Sequence, residues 1–448
     1  MKPSVRSMKS TLLSRYIVYQ SFIQNSIWAV LGAFISKGLN FGSVIFAARI
    51  VGPKVFGEYN VIQTTVGLFG TVSGLGLGLA ATKLIAEWKV KDPVKVGDLL
   101  GSLYVLSLVI SIFVALVFFF SSTFISGSLL NNVNLSSILK LSAVIVIFDA
   151  INGVQNGILS GFESFKKIAL INFVVGILST PLIIAGAYYF GLFGLTGMLL
   201  VSRFSSVLIT RFFLNDVLRK FDISINYEFS LTKVTPIFKI SIPSFLTNMA
   251  ISPVGWVSTT IFINQPLGYS TLGTYNAANQ LRQLVLFLPD SAGKVSIPQL
   301  SREYGEGRFK DFRKTVVLTF CFNLVLSLIP AIIIYACSFL FKNFIGSDFK
   351  IDDILVISVL ATSILVAISN AIGYVFICSN LIWYDFVLRV FWGIAQILLV
   401  LFFGKNHGAI GYSVSILGAY LLYIFLQIVV LVTKFSLVTI PRLQFSDI

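Results

Sequence analysis

Eight ionisable side chains sit inside otherwise apolar stretches: Lys37, Asp149, Arg203, Arg282, Asp290, Lys294, Asp385 and Arg389. A charge at membrane depth costs roughly 2.5–3.5 kcal/mol on insertion scales, so each must face protein or a water-filled space. Asp290 with Lys294, and Asp385 with Arg389, are spaced i,i+4 with the acid first, the favourable order for pairing along one helix. Lys294 and Asp385 also fall near an expected membrane interface, where a long side chain can snorkel. Lys37, Arg203, Arg282 and Asp149 have no such local partner, and their balance is positive. The chemistry this set suggests is anion binding. A guanidinium stays charged when buried and fits phosphate oxygens with two parallel hydrogen bonds. Lys37, Arg203, Arg282, Lys294 and Arg389 are therefore the expected substrate-binding cations. Asp149 and Asp290 are the candidates for proton or ion coupling.

Uncharged polar side chains accompany them. Asp149, Asn152 and Asn156 recur at i, i+3, i+7, and Lys37 shares a helix face with Asn40. Asn276, Gln283 and Asp290 recur every seven residues, which places them on one stripe. Asn248 and Asn370 lie in further apolar runs. Asn40, Asn152, Asn248, Asn276 and Gln283 are expected to line a cavity, where they could bond sugar hydroxyls. Polar contacts between helices would explain the same residues.

The elements that hold these groups follow from composition. The chain has 448 residues, 56% hydrophobic and 11% charged, the mark of a polytopic membrane protein. Apolar runs long enough to span a bilayer, about 20 residues each, cover roughly 27–48, 60–80, 99–120, 138–160, 168–188 and 192–213. A second set covers roughly 240–263, 274–297, 315–341, 353–378, 382–404 and 408–433. The spacing thus predicts an all-α protein of about twelve transmembrane helices. The expected organisation is an N-terminal tail 1–26, a six-helix bundle 27–214, a linker 215–239, a second six-helix bundle 240–434 and a C-terminal tail 435–448.

The net charge of +15 reads as basic cytoplasmic loops, not nucleic-acid binding. Lys and Arg concentrate in the N-terminal tail and in 83–95, 166–167, 211–239 and 302–314. The connections 121–136, 189–191 and 264–272 have none. Both termini are then cytoplasmic, and the basic start is a retained tail, not a signal peptide.

The two halves repeat. At one constant offset Gly52 falls on Gly268, Gly57 on Gly273, Tyr59 on Tyr275, Asn60 on Asn276, Leu84 on Leu300, Glu87 on Glu303 and Gly157 on Gly373. Gly191 and Gly194 match Gly408 and Gly411 within one residue. An even number of helices per repeat gives both halves one orientation, with a central cavity expected between them that opens to alternate sides. Arg282, Asp290 and Lys294 fall on Val66, Gly74 and Gly78, so the charges of 273–300 are an asymmetric addition to a symmetric scaffold.

Other chemistries lack their residues. There is no GxxxxGK[ST] motif for an ATPase. Cys321, Cys337 and Cys378 have no metal or disulfide spacing, and His407 is the single histidine. No long exterior loop could hold a glycosyl-transfer or polymerase site. A carrier without cofactor or metal is expected, not an enzyme. A major-facilitator carrier would show G-x-x-x-D-R-x-G-R where this chain reads LAATKLIAEWKVKDP.

Gly52-Pro53…Phe56-Gly57-x-Tyr59, then GLGLGLAATKLIAE at 74–87, then Gly161-Phe162-Glu163 resemble the polysaccharide-transporter (Wzx-type flippase) family. That family shares a superfamily with multidrug and toxin extrusion carriers. The resemblance covers nearly the whole chain and implies flipping of undecaprenyl-diphosphate-linked oligosaccharide across the bacterial inner membrane for O-antigen or capsule assembly. Expected partners are that lipid-linked substrate, membrane lipids, and the polymerase and chain-length proteins of the same pathway. A multidrug antiporter of the same fold is the alternative, but a cationic drug would call for an acidic cavity.

Overall fold

The computed structural model describes residues 5–227, 231–266, 268–379 and 381–438. Its side chains are described from Lys37 to Lys434, apart from 90, 91, 93, 94, 231–233, 291–295, 298, 382, 405 and 406. Of the two expected tails, 1–4 and 439–448 lie outside the described residues, as does the side chain of Lys294.

Among the described residues every regular element is helical. In order they are α1 (Val5–Gly74), α2 (Leu77–Lys91), α3 (Pro93–Phe124), α4 (Leu135–Gly161), α5 (Phe165–Lys220), α6 (Leu231–Met249) and α7 (Ser252–Ile263). Then come α8 (Gly268–Gly305), α9 (Phe309–Ala336), α10 (Ser338–Ile345), α11 (Asp353–Cys378) and α12 (Ile382–Val438). Among the described residues nine candidate spans are long and apolar enough to cross a membrane. The α1 and α5 spans each contain two of the expected segments, and α8 is too polar to qualify by composition; with these allowances the twelve expected segments are accounted for.

Glycine sets the breaks inside the long helices. Gly52 has φ 76° and ψ 170°, and Pro53 follows it as the first residue of the next limb, where its missing N–H costs nothing. Gly191 (φ 54°, ψ −129°) and Gly408 (φ 52°, ψ −133°) adopt nearly the same conformation, one open to glycine alone. At Gly191 the chain reverses. Gly186 and Gly194 would stand about 12 Å apart on a continuous helix, yet a Cβ on either would overlap the other's carbonyl. In the second repeat a Cβ on Gly411 would overlap the Phe403 carbonyl in the same way. The repeat is therefore conformational as well as sequential.

The chain divides into two compact units: Met1–Ala47, Phe69–Thr123 and Asn134–Leu246 in one, Ala48–Leu68, Phe124–Val133 and Thr247–Ile448 in the other. In the first unit the core joins Leu84 and Ile85 of α2, Leu99 and Leu103 of α3, Ile158 of α4, Leu214 of α5 and Ile237 of α6. Lipid tails are as apolar as these side chains, so close backbone approach must supply much of the cohesion. Gly78 and Gly157 provide it. A Cβ on Gly157 would strike Gly78, and one on Gly78 would strike the Gly153 carbonyl. The small-residue run of α2 is thus a helix-crossing device. At the adjoining turn Glu163, in left-handed backbone (φ 55°), pairs with Lys89 at 2.7 Å.

In the second unit α8 packs on α9 and α11, and α12 on α11 and α7. The unit also contains a repeat-symmetric crossing. A Cβ on Gly57 would overlap the Tyr269 carbonyl, and one on Gly273 would overlap the Pro53 carbonyl. Pro53 and Tyr269 stand at the same repeat offset as the two glycines. Around this crossing, Arg49 Nη1 donates to the Phe344 carbonyl at 2.8 Å, and Asn264 Nδ2 donates to the Leu129 carbonyl at 3.0 Å. These too are one contact made twice, to within one residue. Tyr269 Oη donates to Leu130 O at 2.7 Å, and Asn131 Nδ2 donates to Asn264 Oδ1 at 2.8 Å.

Candidate functional site

Arg282 lies on α8, two turns beyond Tyr275. Flanking Leu281, Val285 and Leu286 are buried, so this part of the helix is anchored. The Arg282 side chain is half-buried, and its Nε is shut off from solvent with no hydrogen-bond acceptor. Among the described residues no carboxylate forms an ion pair with it. The charge lies within electrostatic reach of Tyr275, Tyr412 and Tyr420. Tyr275 and Tyr412 are buried and meet edge to face at 4.8 Å. One turn back on α8, Asn279 Oδ1 is likewise buried without a partner. A guanidinium cannot shed its charge, and leaving a buried charged donor unbonded costs more than the roughly 1–3 kcal/mol of a neutral one. The arrangement can hold an anion.

The other expected cations are placed differently. Arg203 on α5 faces Asp149 on α4, with Nε 3.2 Å from Oδ1. That is ion-pair distance, but the angle is poor, and Nε makes no hydrogen bond. The side chains of Arg203 and Asp149 are 41% and 31% exposed. Below them Asn152 Nδ2 donates to Ser206 Oγ at 3.0 Å, Asn156 Nδ2 to Asn152 Oδ1 at 3.2 Å, and Thr210 Oγ1 to Asn152 Oδ1 at 3.4 Å. The α5 residues Arg203, Ser206 and Thr210 form a second triplet: Arg203 meets Asp149, Ser206 and Thr210 both meet Asn152, and Asn156 bonds Asn152 within α4. The second triplet has the same i, i+3, i+7 spacing as the first, a signal in the sequence that the reading of α4 alone passed over.

Arg389 Nε donates to Asp385 Oδ2 at 2.8 Å, the i,i+4 pairing read from sequence. Asp385 is 5% exposed and also accepts from Tyr423 Oη at 2.7 Å and Gln427 Nε2 at 3.3 Å. Gln427 Oε1 in turn accepts from Ser369 Oγ at 3.1 Å. Asp290 accepts from Asn370 Nδ2 of α11 at 3.3 Å. Lys37 is half-buried on α1, Asn276 is half-buried, and Asn40, Asn248 and Gln283 are exposed.

Sequence reasoning missed the tyrosines beside Arg282. A signal for one of them was present: Tyr412 shares a helix face with Ala419, Tyr423 and Gln427, and all four are buried. It also missed Glu58, Asn131, Asn132 and Asn264. These sit at the Gly57–Gly273 crossing, where Asn132 Nδ2 donates to Glu58 Oε1 at 3.2 Å.

The family model for "Polysaccharide biosynthesis protein" matches residues 22–303, and the model "MatE" matches 243–387. A Shigella flexneri protein provisionally named as an O-antigen transporter is 24% identical over 359 residues, 76% of this chain and 80% of its own length. The fold resembles an inward-facing multidrug resistance MATE family transporter of the MOP superfamily, with TM-score 0.72 and 15% identity, covering 93% of this chain and all of that one. It also resembles a MOP superfamily transporter from Pyrococcus furiosus with reversed binding-pocket polarity, with TM-score 0.64 and 16% identity over 92% of this chain and 96% of that one.

Proposed function

The chain belongs to the polysaccharide biosynthesis protein family, and from that premise we propose a flippase for undecaprenyl-diphosphate-linked oligosaccharide in the bacterial inner membrane. It serves O-antigen, capsule or exopolysaccharide assembly, with both termini cytoplasmic and the six-helix halves 27–214 and 240–434 alternating access. It moves a substrate and makes or breaks no covalent bond in it.

The observation that carries this reading is the unpartnered Arg282 Nε on an otherwise anchored stretch of α8. A diphosphate supplies the missing acceptor and the missing negative charge together. Lys37, Lys294 and Arg389 remain the further cations of this reading, Arg389 with its Nε already bonded to Asp385. Asn276, Gln283, Asn40 and Asn248 offer neutral donors and acceptors to the head, and Asp290 remains the coupling candidate in the second half.

Export of a cationic drug is the second reading, favoured by the multidrug-transporter fold neighbours. It leaves the Arg282 charge without a counter-charge. Reconstitution separates the two. Proteoliposomes containing the protein should make a lectin-accessible lipid-linked oligosaccharide inaccessible, or the reverse, and should not extrude ethidium. Ethidium extrusion without oligosaccharide movement would replace the proposal by the second reading.

A further inference from the structure

The Asp149–Arg203 pair differs in kind from Arg282. Its charges cancel, so it offers a diphosphate little net attraction. Yet it is half-open, and exposing a charged pair to hydrocarbon is costly, so its open side faces water or a polar ligand. The pair contacts at Nε and Oδ1. The rest of the guanidinium fork and the second carboxylate oxygen are not used in that contact.

Two guanidinium N–H groups beside a carboxylate oxygen form a planar donor and acceptor set. Neighbouring hydroxyls on a sugar ring both donate and accept, and they match such a set without requiring net charge. Its rigidity comes from below. Asn152, braced by Asn156 one turn along α4, clamps α4 to the second limb of α5 through Ser206 and Thr210, and Ser206 (7% exposed) and Thr210 (0%) are buried. The charged pair lies next to this clamp.

We propose that the Asp149–Arg203 pair is the sugar-hydroxyl subsite of this carrier, held beside the Asn152–Ser206–Thr210 clamp. The proposal rests on the flippase reading above. In it the α4–α5 pair discriminates the glycan. Asp149 is then a specificity residue, not a proton carrier.

The test compares two probes on protein in nanodiscs: undecaprenyl-diphosphate-linked oligosaccharide purified from the host strain, and undecaprenyl diphosphate with the glycan removed. Wild type should bind the glycosylated lipid about tenfold or more tightly than the bare one, the scale of a hydrogen bond to a charged group. Asp149→Asn should abolish most of that preference without weakening the bare lipid. The double variant Asp149→Arg with Arg203→Asp restores the ion pair and the helix clamp but exchanges donor for acceptor, and it should still lack the preference. Recovery of the preference in the double variant would make the pair a clamp only and overturn the proposal, as would retention of it in Asp149→Asn. Failure of wild type to bind either lipid would instead overturn the flippase reading on which the proposal stands.

Discussion

Gly57 and Gly273 occupy equivalent positions in the two repeats, and each meets the other's helix: Gly57 against Tyr269 O, Gly273 against Pro53 O. A contact in which residue i meets j′ and j meets i′ is the signature of a two-fold relation. Here the two-fold relates segments of a single chain. The neighbouring Arg49–Phe344 and Asn264–Leu129 hydrogen bonds repeat the same logic.

Either crossing glycine changed to alanine should destabilise the protein. The backbone facing each added methyl cannot rotate away, and overpacking costs typically about 1–3 kcal/mol. Gly57→Ala and Gly273→Ala act on one contact, so their effects should not add. Gly67→Ala, with nothing within 4 Å of its added Cβ, is the control and should be neutral or slightly stabilising. Thermal unfolding in detergent of the wild type, the three single variants and the Gly57→Ala, Gly273→Ala double variant checks this.

Alanine at Gly191 or Gly408 should cost about 1–3 kcal/mol for a different reason, the positive φ of 54° and 52°. No contact explains this at Gly191, where nothing lies within 4 Å. A similar loss of melting temperature in both variants is the expected outcome. A neutral Gly408→Ala beside a damaging Gly191→Ala would show that the two turns are not equivalent.

Asp385→Ala should be far more damaging than most single changes. It strips the half-buried Arg389 and the buried Tyr423 and Gln427 of their common acceptor. Breaking a buried pair costs about 3–5 kcal/mol. Asp385→Ala combined with Arg389→Met should recover part of the loss, because the orphaned charge goes too. Yield of folded protein by size-exclusion chromatography is the readout. No recovery in the double variant would mean that Arg389 is held mainly by contacts other than Asp385.

Much of this was legible in the sequence. The spans follow from apolar length, and the breaks from glycines whose repeat partners break likewise. The Asp385–Arg389 pairing follows from i,i+4 spacing. The Arg203–Asp149 partnership was open, because two charges on separate helices can be joined only once the register of α4 on α5 is known. Arg282 looked like one cation among several. What sets it apart, a buried Nε with neither an acceptor nor a facing carboxylate, depends on packing that no spacing reveals. The asparagines at the Gly57 crossing were hidden because they lie in short loops without charge or period.

The most direct measurement is made in cells. In a strain lacking its own oligosaccharide flippase, the wild-type chain should restore surface polymer. Arg282→Gln, present in the membrane at equal amount, should lose most of it, about tenfold or more if a charge-assisted bond to the diphosphate is removed. Arg282→Lys, which keeps the charge and loses the fork, should fall between. Full restoration of polymer by Arg282→Gln would contradict the account at its centre.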